Sequence, residues 1–229
     1  MDVVDGLPDL LDLVPADRLP TARRALRAHS LLVRKGRWDA TADADMVDGG
    51  IGFLVLDGAL IRCVTAAHRT SGELLGPGDL VRCDDDLADE GLPFGSYWRA
   101  ISDVRLAVLD ARFTRSATFV PETTPALMAS LARRTDAVAR QLVIVQSQAV
   151  ETRILTTLHY LAERWGVMTV DGLVLPGFLS HGTLALLLGA RRPSVTSAMV
   201  RLAATGQVIR REDGRWLLPA QVAASAAAA

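Results

Sequence analysis

Between Gly189 and Gly206 the chain reads GARRPSVTSAMVRLAATG, which gathers Arg191, Arg192, Arg201 and the hydroxyls of Ser194, Thr196 and Ser197 into one short stretch. These side chains suit recognition rather than bond making. A guanidinium can span O6 and N7 of guanine or clamp a phosphate, and serine or threonine serves phosphates or base edges. Proline has no N–H to donate and biases the preceding residue away from helical geometry. The expectation is therefore a helix with Arg192 near its cap and Pro193 as its first residue. Val195, Ala198, Met199 and Leu202 follow at i, i+3, i+4 and i+7 and predict a buried stripe. Ser194, Ser197 and Arg201 fall on the opposite face, with Thr196 flanking it. Arginines at the positive end of a helix dipole are unfavourable unless an anion is close.

The neighbouring segments are those needed to hold such a helix. Residues 181–188 predict a helix with Ser180 as its N-cap and Gly189 as its stop. Upstream, a helix is expected from Val150 to Trp165, with Ile154, Leu155, Leu158 and Leu161 on one face and Gly166 ending it. Asp171-Gly172 and Asp213-Gly214 mark two hairpins, the second carrying Arg210, Arg211 and Arg215. Helix, turn, helix and basic hairpin is the winged helix-turn-helix order, and the predicted partner is double-stranded DNA. The plain alternative is a helical hairpin whose arginines are merely solvated.

The front of the chain follows a different grammar. A short amphipathic helix is read from Leu19 to about Leu32, and strands after it. GGIGFLVLDGALIRCV predicts a hairpin at Asp57-Gly58, ELLGPGDLVRC a Pro-Gly-Asp turn between apolar pairs, and YWRAISDVRLAVLD an alternating strand with Ile101, Val104, Leu106 and Val108 inward. Short strands at this spacing indicate an antiparallel barrel or jelly roll. From about Pro125 to Gln148 the period becomes helical, and Leu131, Thr135, Val138, Leu142, Val145 and Ala149 follow alternating steps of four and three, a coiled-coil seam expected to join two chains. The alternative is a helix packed on its own domain. The expected organisation is α+β: a β-roll over 1–124, a dimerisation helix over 125–149, a winged helix-turn-helix over 150–220, and a flexible tail over 221–229.

Composition narrows the classes. Half of the 229 residues are apolar, enough for a true core. No apolar run approaches the roughly 20 residues needed to cross a bilayer, and the N-terminus carries acids where a secretory signal carries bases, so a cytoplasmic protein without membrane association is expected. The net charge of −1 conceals an asymmetry: residues 1–125 hold 14 basic and 20 acidic groups, net −6, whereas residues 151–229 hold 8 and 5, net +3. An acidic front half repels nucleic acid and a basic rear half approaches it. With Cys63 and Cys83 alone, a multi-disulfide framework or four-cysteine cluster within one chain is excluded. The two cysteines are read as ordinary buried thiols, a redox pair being the alternative.

The segment LSHGTLALLLGARRPSVTSAMVRLAATGQVIRRE resembles the helix-turn-helix of the cyclic AMP receptor protein family of bacterial transcription regulators (Crp/Fnr). GFLVLDGALI and GPGDLV resemble that family's β-roll, and VETRILTTLHYLAERWG the first helix of its DNA-binding domain, so the resemblance covers most of the chain. It implies a homodimer joined along the long helix, each recognition helix taking half of a near-palindromic site. By position, it implies that Arg192, Thr196 and Ser197 approach base edges and that Ser180, His181, Arg191 and Ser194 lie near phosphates. Pro193 stands where many members carry a glutamate that reads the half-site, so a different operator is implied. RNA polymerase is the further partner such a regulator implies, although no motif here marks its contact.

The family's cyclic-nucleotide cassette is not matched. It follows the Pro-Gly-Asp turn and contains Gly-Glu and then an Arg with a small hydroxyl residue, whereas here Gly72-Glu73-Leu74 precedes the turn at Pro77 to Asp79. After the turn come Asp84, Asp85 and Asp86, whose carboxylates repel a phosphate, and Phe94-Gly95 occupy the place of the Arg-Ser pair. Arg82 and Arg99 remain as candidates to face the pocket, and Val138 and Ala139 stand where a cyclic AMP binder presents hydroxyls. No cofactor and no control by cyclic AMP are expected; a cyclic-nucleotide response through a non-standard pocket is the alternative. His29, His68, Cys63 and Cys83 are the residues open to haem ligation, without a recognisable motif. The aspartate run is open to a divalent cation but is read as solvated. A metal-dependent β-roll enzyme is the rival class, yet His29, His68, His159 and His181 lack metal-ligand spacing, and no phosphate-binding loop, nucleophile elbow or Cys-x-x-Cys is present. A nucleotide-binding module that acts on a partner protein, not on DNA, is the second rival.

Overall fold

A computed structural model of the chain describes residues 2–82 and 94–220. Cys83, Asp84, Asp85, Asp86 and the tail over 221–229 lie outside the described residues. The chain forms two compact units, Met1–Val138 and Ala139–Ala229.

In the first unit, α1 (Pro8–Leu13) and α2 (Leu19–Ala25) precede the strands β1 (His29–Val33), β2 (Gly36–Trp38), β3 (Gly52–Asp57), β4 (Leu60–Ala66), β5 (Arg69–Leu75), β6 (Leu80–Val81), β7 (Phe94–Ala100) and β8 (Val104–Leu109). Then come α3 (Ala111–Ala117) and the long α4 (Thr123–Gln146). Two antiparallel four-stranded sheets, ordered β1-β8-β3-β6 and β2-β7-β4-β5, make the roll. Its interior is closed by Trp38 edge-on to Phe53 and Trp98, with Leu60, Leu75, Val104, Leu106 and Val108 around them. A second cluster joins Leu7, Leu10 and Leu26 of the N-terminal segment to Leu54, Leu109, Phe113 and Leu127. Each such side chain, once buried, contributes about 1.5–3 kcal/mol.

Two expectations for this unit are corrected. The helix expected to reach Leu32 stops at Ala25, because residues 29–33 pair along β8, His29 opposite Val108 through Val33 opposite Val104. Asp57-Gly58 is not a hairpin turn: β3 pairs β8 and β6, while β4 pairs β5 and β7, so the turn carries the chain from one sheet to the other. Gly58 is required there because its φ is +81° and a Cβ would lie 2.1 Å from the Asp103 carbonyl oxygen. The tight hairpin lies instead between β4 and β5, where Ala67 and His68 both take positive φ, 46° and 67°.

α4 begins two residues before the expected position, with Pro125 in its first turn, where its missing N–H costs nothing. Its first turns belong to the roll: Thr123, Ala126, Leu127 and Ser130 are buried, and the Ser130 hydroxyl donates to the Gly78 carbonyl at 2.7 Å. The same turn is held from within by Asp79, which is buried and accepts from the Gly76 N–H.

The second unit contains α5 (Val150–Trp165), β9 (Val167–Thr169), β10 (Gly172–Val174), α6 (His181–Leu187), α7 (Arg192–Ala204), β11 (Ile209–Arg210) and β12 (Trp216–Pro219). The two expected hairpins form and join through β10 and β12 into one sheet, β11-β12-β10-β9. Ile154, Leu158 and Leu161 of α5 and Leu184 and Leu187 of α6 are buried with the stripe of α7, and Leu217 and Leu218 close the sheet side.

Candidate nucleic-acid interface

Local chemistry sets both helices of the turn. The Ser180 hydroxyl accepts from the Thr183 N–H at 3.1 Å and so caps α6. After Leu188 the chain reverses through Gly189 at φ +57°, and the Ala190 N–H reaches the Ala185 carbonyl at 3.0 Å. α7 ends in the same way, at Gly206. These glycine-terminated stops satisfy the last carbonyls and fix the angle at which the next segment leaves. α7 starts one residue earlier than expected: Arg191 is its extended N-cap, Arg192 its first residue and Pro193 its second. Proline fits there because the first N–H groups of a helix have no intrahelical acceptor.

The predicted stripe is buried completely, with Val195 and Ala198 at 0 %, Met199 at 1 % and Leu202 at 3 % exposure. Arg191, Arg192, Ser194 and Ser197 are exposed, and Thr196 is half-buried. The helix therefore presents one dry face and one hydroxyl- and guanidinium-bearing face.

The remaining predicted residues do not all share that front. Arg201 is held by Glu151 of α5, with Nε and Nη2 at 2.6 and 2.5 Å from one carboxylate oxygen. The Glu151 carboxyl is kept below its usual range by a backbone N–H and then by Arg201. In the wing, Arg215 and Arg211 share Asp213, at 2.8 and 3.4 Å. That carboxyl is pulled down to about 2 by the side chain and backbone N–H of Arg215. Arg210 takes another place, its guanidinium 4.4 Å above the Trp216 ring. Trp216 is pinned by its indole N–H to the Leu179 carbonyl at 3.0 Å, and His181 stacks on it, ring centres 5.7 Å apart at 20°. His181 Nδ1 lies 3.1 Å from the Thr196 hydroxyl of α7. Burial, then Arg210 and Arg192, hold the imidazole below its ordinary pKa. His181, Thr196 and Arg210 are each legible in the sequence, but the placing of His181 and Arg210 on Trp216, with Thr196 on His181, depends on the wing folding back over α6, which leaves no local mark.

Along α4 the predicted seam is solvent-facing in the single chain. Leu131, Val138 and Leu142 are 38, 40 and 60 % exposed, Thr135 is exposed and Val145 half-buried. Met128, 59 % exposed, extends the same spacing by one step. Ala149 does not belong to this helix: it has extended backbone and serves as N-cap of α5.

Inside the roll, Glu73 lies between Arg134 of α4, which donates from Nε at 2.5 Å and Nη2 at 2.9 Å, and Arg62 of β4 at 3.9 Å. Arg99 is exposed on the sheet face opposite Trp98 and Ala100, so it does not point into the interior; Arg82 is exposed just after β6. Cys63 is buried in β4 opposite Tyr97, and burial pushes its thiol pKa up. Among the described residues no three His, Cys, Asp or Glu side chains cluster to hold a metal ion, and no helix is long and apolar enough to cross a membrane.

A β-roll followed by a long helix and a winged helix-turn-helix is the architecture of the CRP/FNR transcription regulators, and solved structures of that group share this fold. A double mutant of CooA from Carboxydothermus hydrogenoformans matches with a TM-score of 0.64 at 16 % identity, over 96 % of this chain and 94 % of its own. A CRP/FNR-family transcriptional regulator of Thermus thermophilus matches at 0.57 and 18 %, over 88 % and 99 %. CLP, the c-di-GMP responsive global regulator of Xanthomonas campestris, matches at 0.56 and 18 %, over 90 % and 99 %. No family model and no curated protein matches the sequence.

Proposed function

We propose that the protein is a homodimeric, sequence-specific DNA-binding transcription regulator of the Crp/Fnr family, not an enzyme, and not controlled by cyclic AMP. The observation that carries this reading is α7: a fully buried Val195, Ala198, Met199 and Leu202 stripe beneath exposed Arg191, Arg192, Ser194 and Ser197. In this reading Arg192, Thr196 and Ser197 meet base edges, and Ser180, His181, Arg191 and Ser194 lie near phosphates. Of the wing arginines, Arg210 carries most of the contact, since Arg211 and Arg215 already share Asp213. The exposed apolar run from Met128 to Leu142 on α4 supports a seam with a second copy. The glutamate of the Gly72-Glu73-Leu74 motif is held by Arg134 and Arg62, which supports a roll in which it serves the packing of α4 on the sheet and not a nucleotide's hydroxyls. Any effector acts by shifting the population of DNA-competent dimers.

Selection of bound duplexes from random DNA, run without nucleotide, with cyclic AMP and with c-di-GMP, tests this directly. The expected result is a near-palindromic consensus with half-sites one helical turn apart, unaffected by cyclic AMP. Enrichment only with cyclic AMP contradicts the effector reading; no enrichment under any condition contradicts DNA recognition.

A further inference from the structure

His181 is the residue at which three elements of the second unit meet. It opens α6, stacks on Trp216 of β12 and touches the Thr196 hydroxyl of α7 at 3.1 Å. Trp216 is itself immobilised by its bond to the Leu179 carbonyl, so the imidazole plane is fixed and Nδ1 has one partner direction. Thr196 lies between the buried Val195 and the exposed Ser197, at the edge of the face read above as DNA-directed.

We propose that His181 is the positioning residue for Thr196 and that its protonation reverses the hydrogen-bonding polarity Thr196 offers to DNA. This rests on the DNA-reading role of α7. In the neutral ring Nδ1 accepts a hydrogen bond from the Thr196 hydroxyl, whose oxygen then faces DNA as an acceptor and favours the amino groups of adenine or cytosine. In the imidazolium Nδ1–H donates to that oxygen, the hydroxyl hydrogen is released outward, and the favoured partners become guanine O6/N7 or thymine O4. The charges facing the ring are Arg210 from the wing and Arg192 from α7, and α6 contributes none. Both arginines resist protonation, and DNA phosphates offset them. Binding therefore takes up a proton, and the neutral form dominates in free protein above about pH 6.5.

The test is duplex selection by the full chain at about pH 8 and about pH 5.5, with wild type, His181→Phe, which keeps the stack but lacks Nδ1, and Thr196→Val. The wild type is expected to change its preference at one base pair per half-site, from amino-bearing to acceptor-bearing edges, by about threefold to tenfold, the size of one hydrogen bond. His181→Phe abolishes the change, and Thr196→Val becomes indifferent at that base pair. Nitrogen-15 spectra of wild-type His181 supply a readout that needs no variant: Nδ1 is expected unprotonated at pH 8. An unchanged base preference in the wild type, a change that persists in His181→Phe, or a protonated Nδ1 at pH 8 overturns the proposal. Failure to enrich any duplex at either pH overturns the DNA-reading role as well.

Discussion

At the scale of single residues, the structure separates arginines that the sequence presents as equals. Arg192 starts α7 with no carboxylate paired to it among the described residues, whereas Arg201 is bound to Glu151. Arg192→Ala is expected to weaken binding to a selected duplex by about 1–3 kcal/mol and to relax its base preference. Arg201→Ala is expected to change that affinity by less than about threefold, since Arg201 lies in the last turn of α7, turned toward Glu151 and away from the N-terminal end that enters the groove. Equilibrium titrations on one duplex check both. His181 adds a pH dependence of stability. Its folded pKa is lowered, so as pH falls below about 6.5 the unfolded chain takes up the proton first, and stability present at higher pH is lost. Thermal unfolding at pH 8 and pH 5.5 should show this loss in the wild type and a smaller one in His181→Phe.

At the scale of elements, what is legible in the sequence is what local chemistry decides. Ser180, Gly189, Pro193 and Gly206 act within a few residues of themselves, so both helices of the turn are readable to within one residue. The helix that carries the expected seam is readable for the same reason, except that Ala149 continues the spacing in sequence while its backbone already caps the next helix. Strand pairing is decided at a distance. Asp57-Gly58 has hairpin composition, but Gly58 is there because the Asp103 carbonyl packs against it. Ala67-His68 has no hairpin composition and yet makes the hairpin, with both residues in the left-handed region. Replacing that pair by Asn-Gly is expected to stabilise the first unit by about 1–2 kcal/mol, measured by denaturant unfolding. Glu73→Gln is expected to act in the other direction, by about 1–2 kcal/mol, because the two charge-assisted bonds from Arg134 and the ion pair with Arg62 lose their negative charge.

At the scale of the whole molecule, different tasks fall to parts of opposite charge. The acidic front half, net −6, is shaped as a roll and takes the first turns of α4, while the basic rear half, net +3, carries α7, the helix proposed to read DNA. The exposed apolar residues Met128, Leu131, Val138 and Leu142 belong to neither task in a single chain; in the proposed dimer a second copy covers them. Leu131→Asp combined with Leu142→Asp is expected to yield a folded monomer by sedimentation, with affinity for a two-half-site duplex reduced by about a hundredfold or more through loss of bivalency, a loss on the order of that expected for linked sites.

Everything proposed for this protein depends on α7, presented twice by a dimer, reading DNA. That dependence is tested by an equilibrium titration of a selected duplex with wild-type protein and with the double variant Arg192→Ala and Ser197→Ala, alongside sedimentation of both proteins. The variant is expected to remain a folded dimer and to lose its preference for the selected duplex over random competitor DNA. An unchanged preference in the variant would contradict the DNA-reading role of α7.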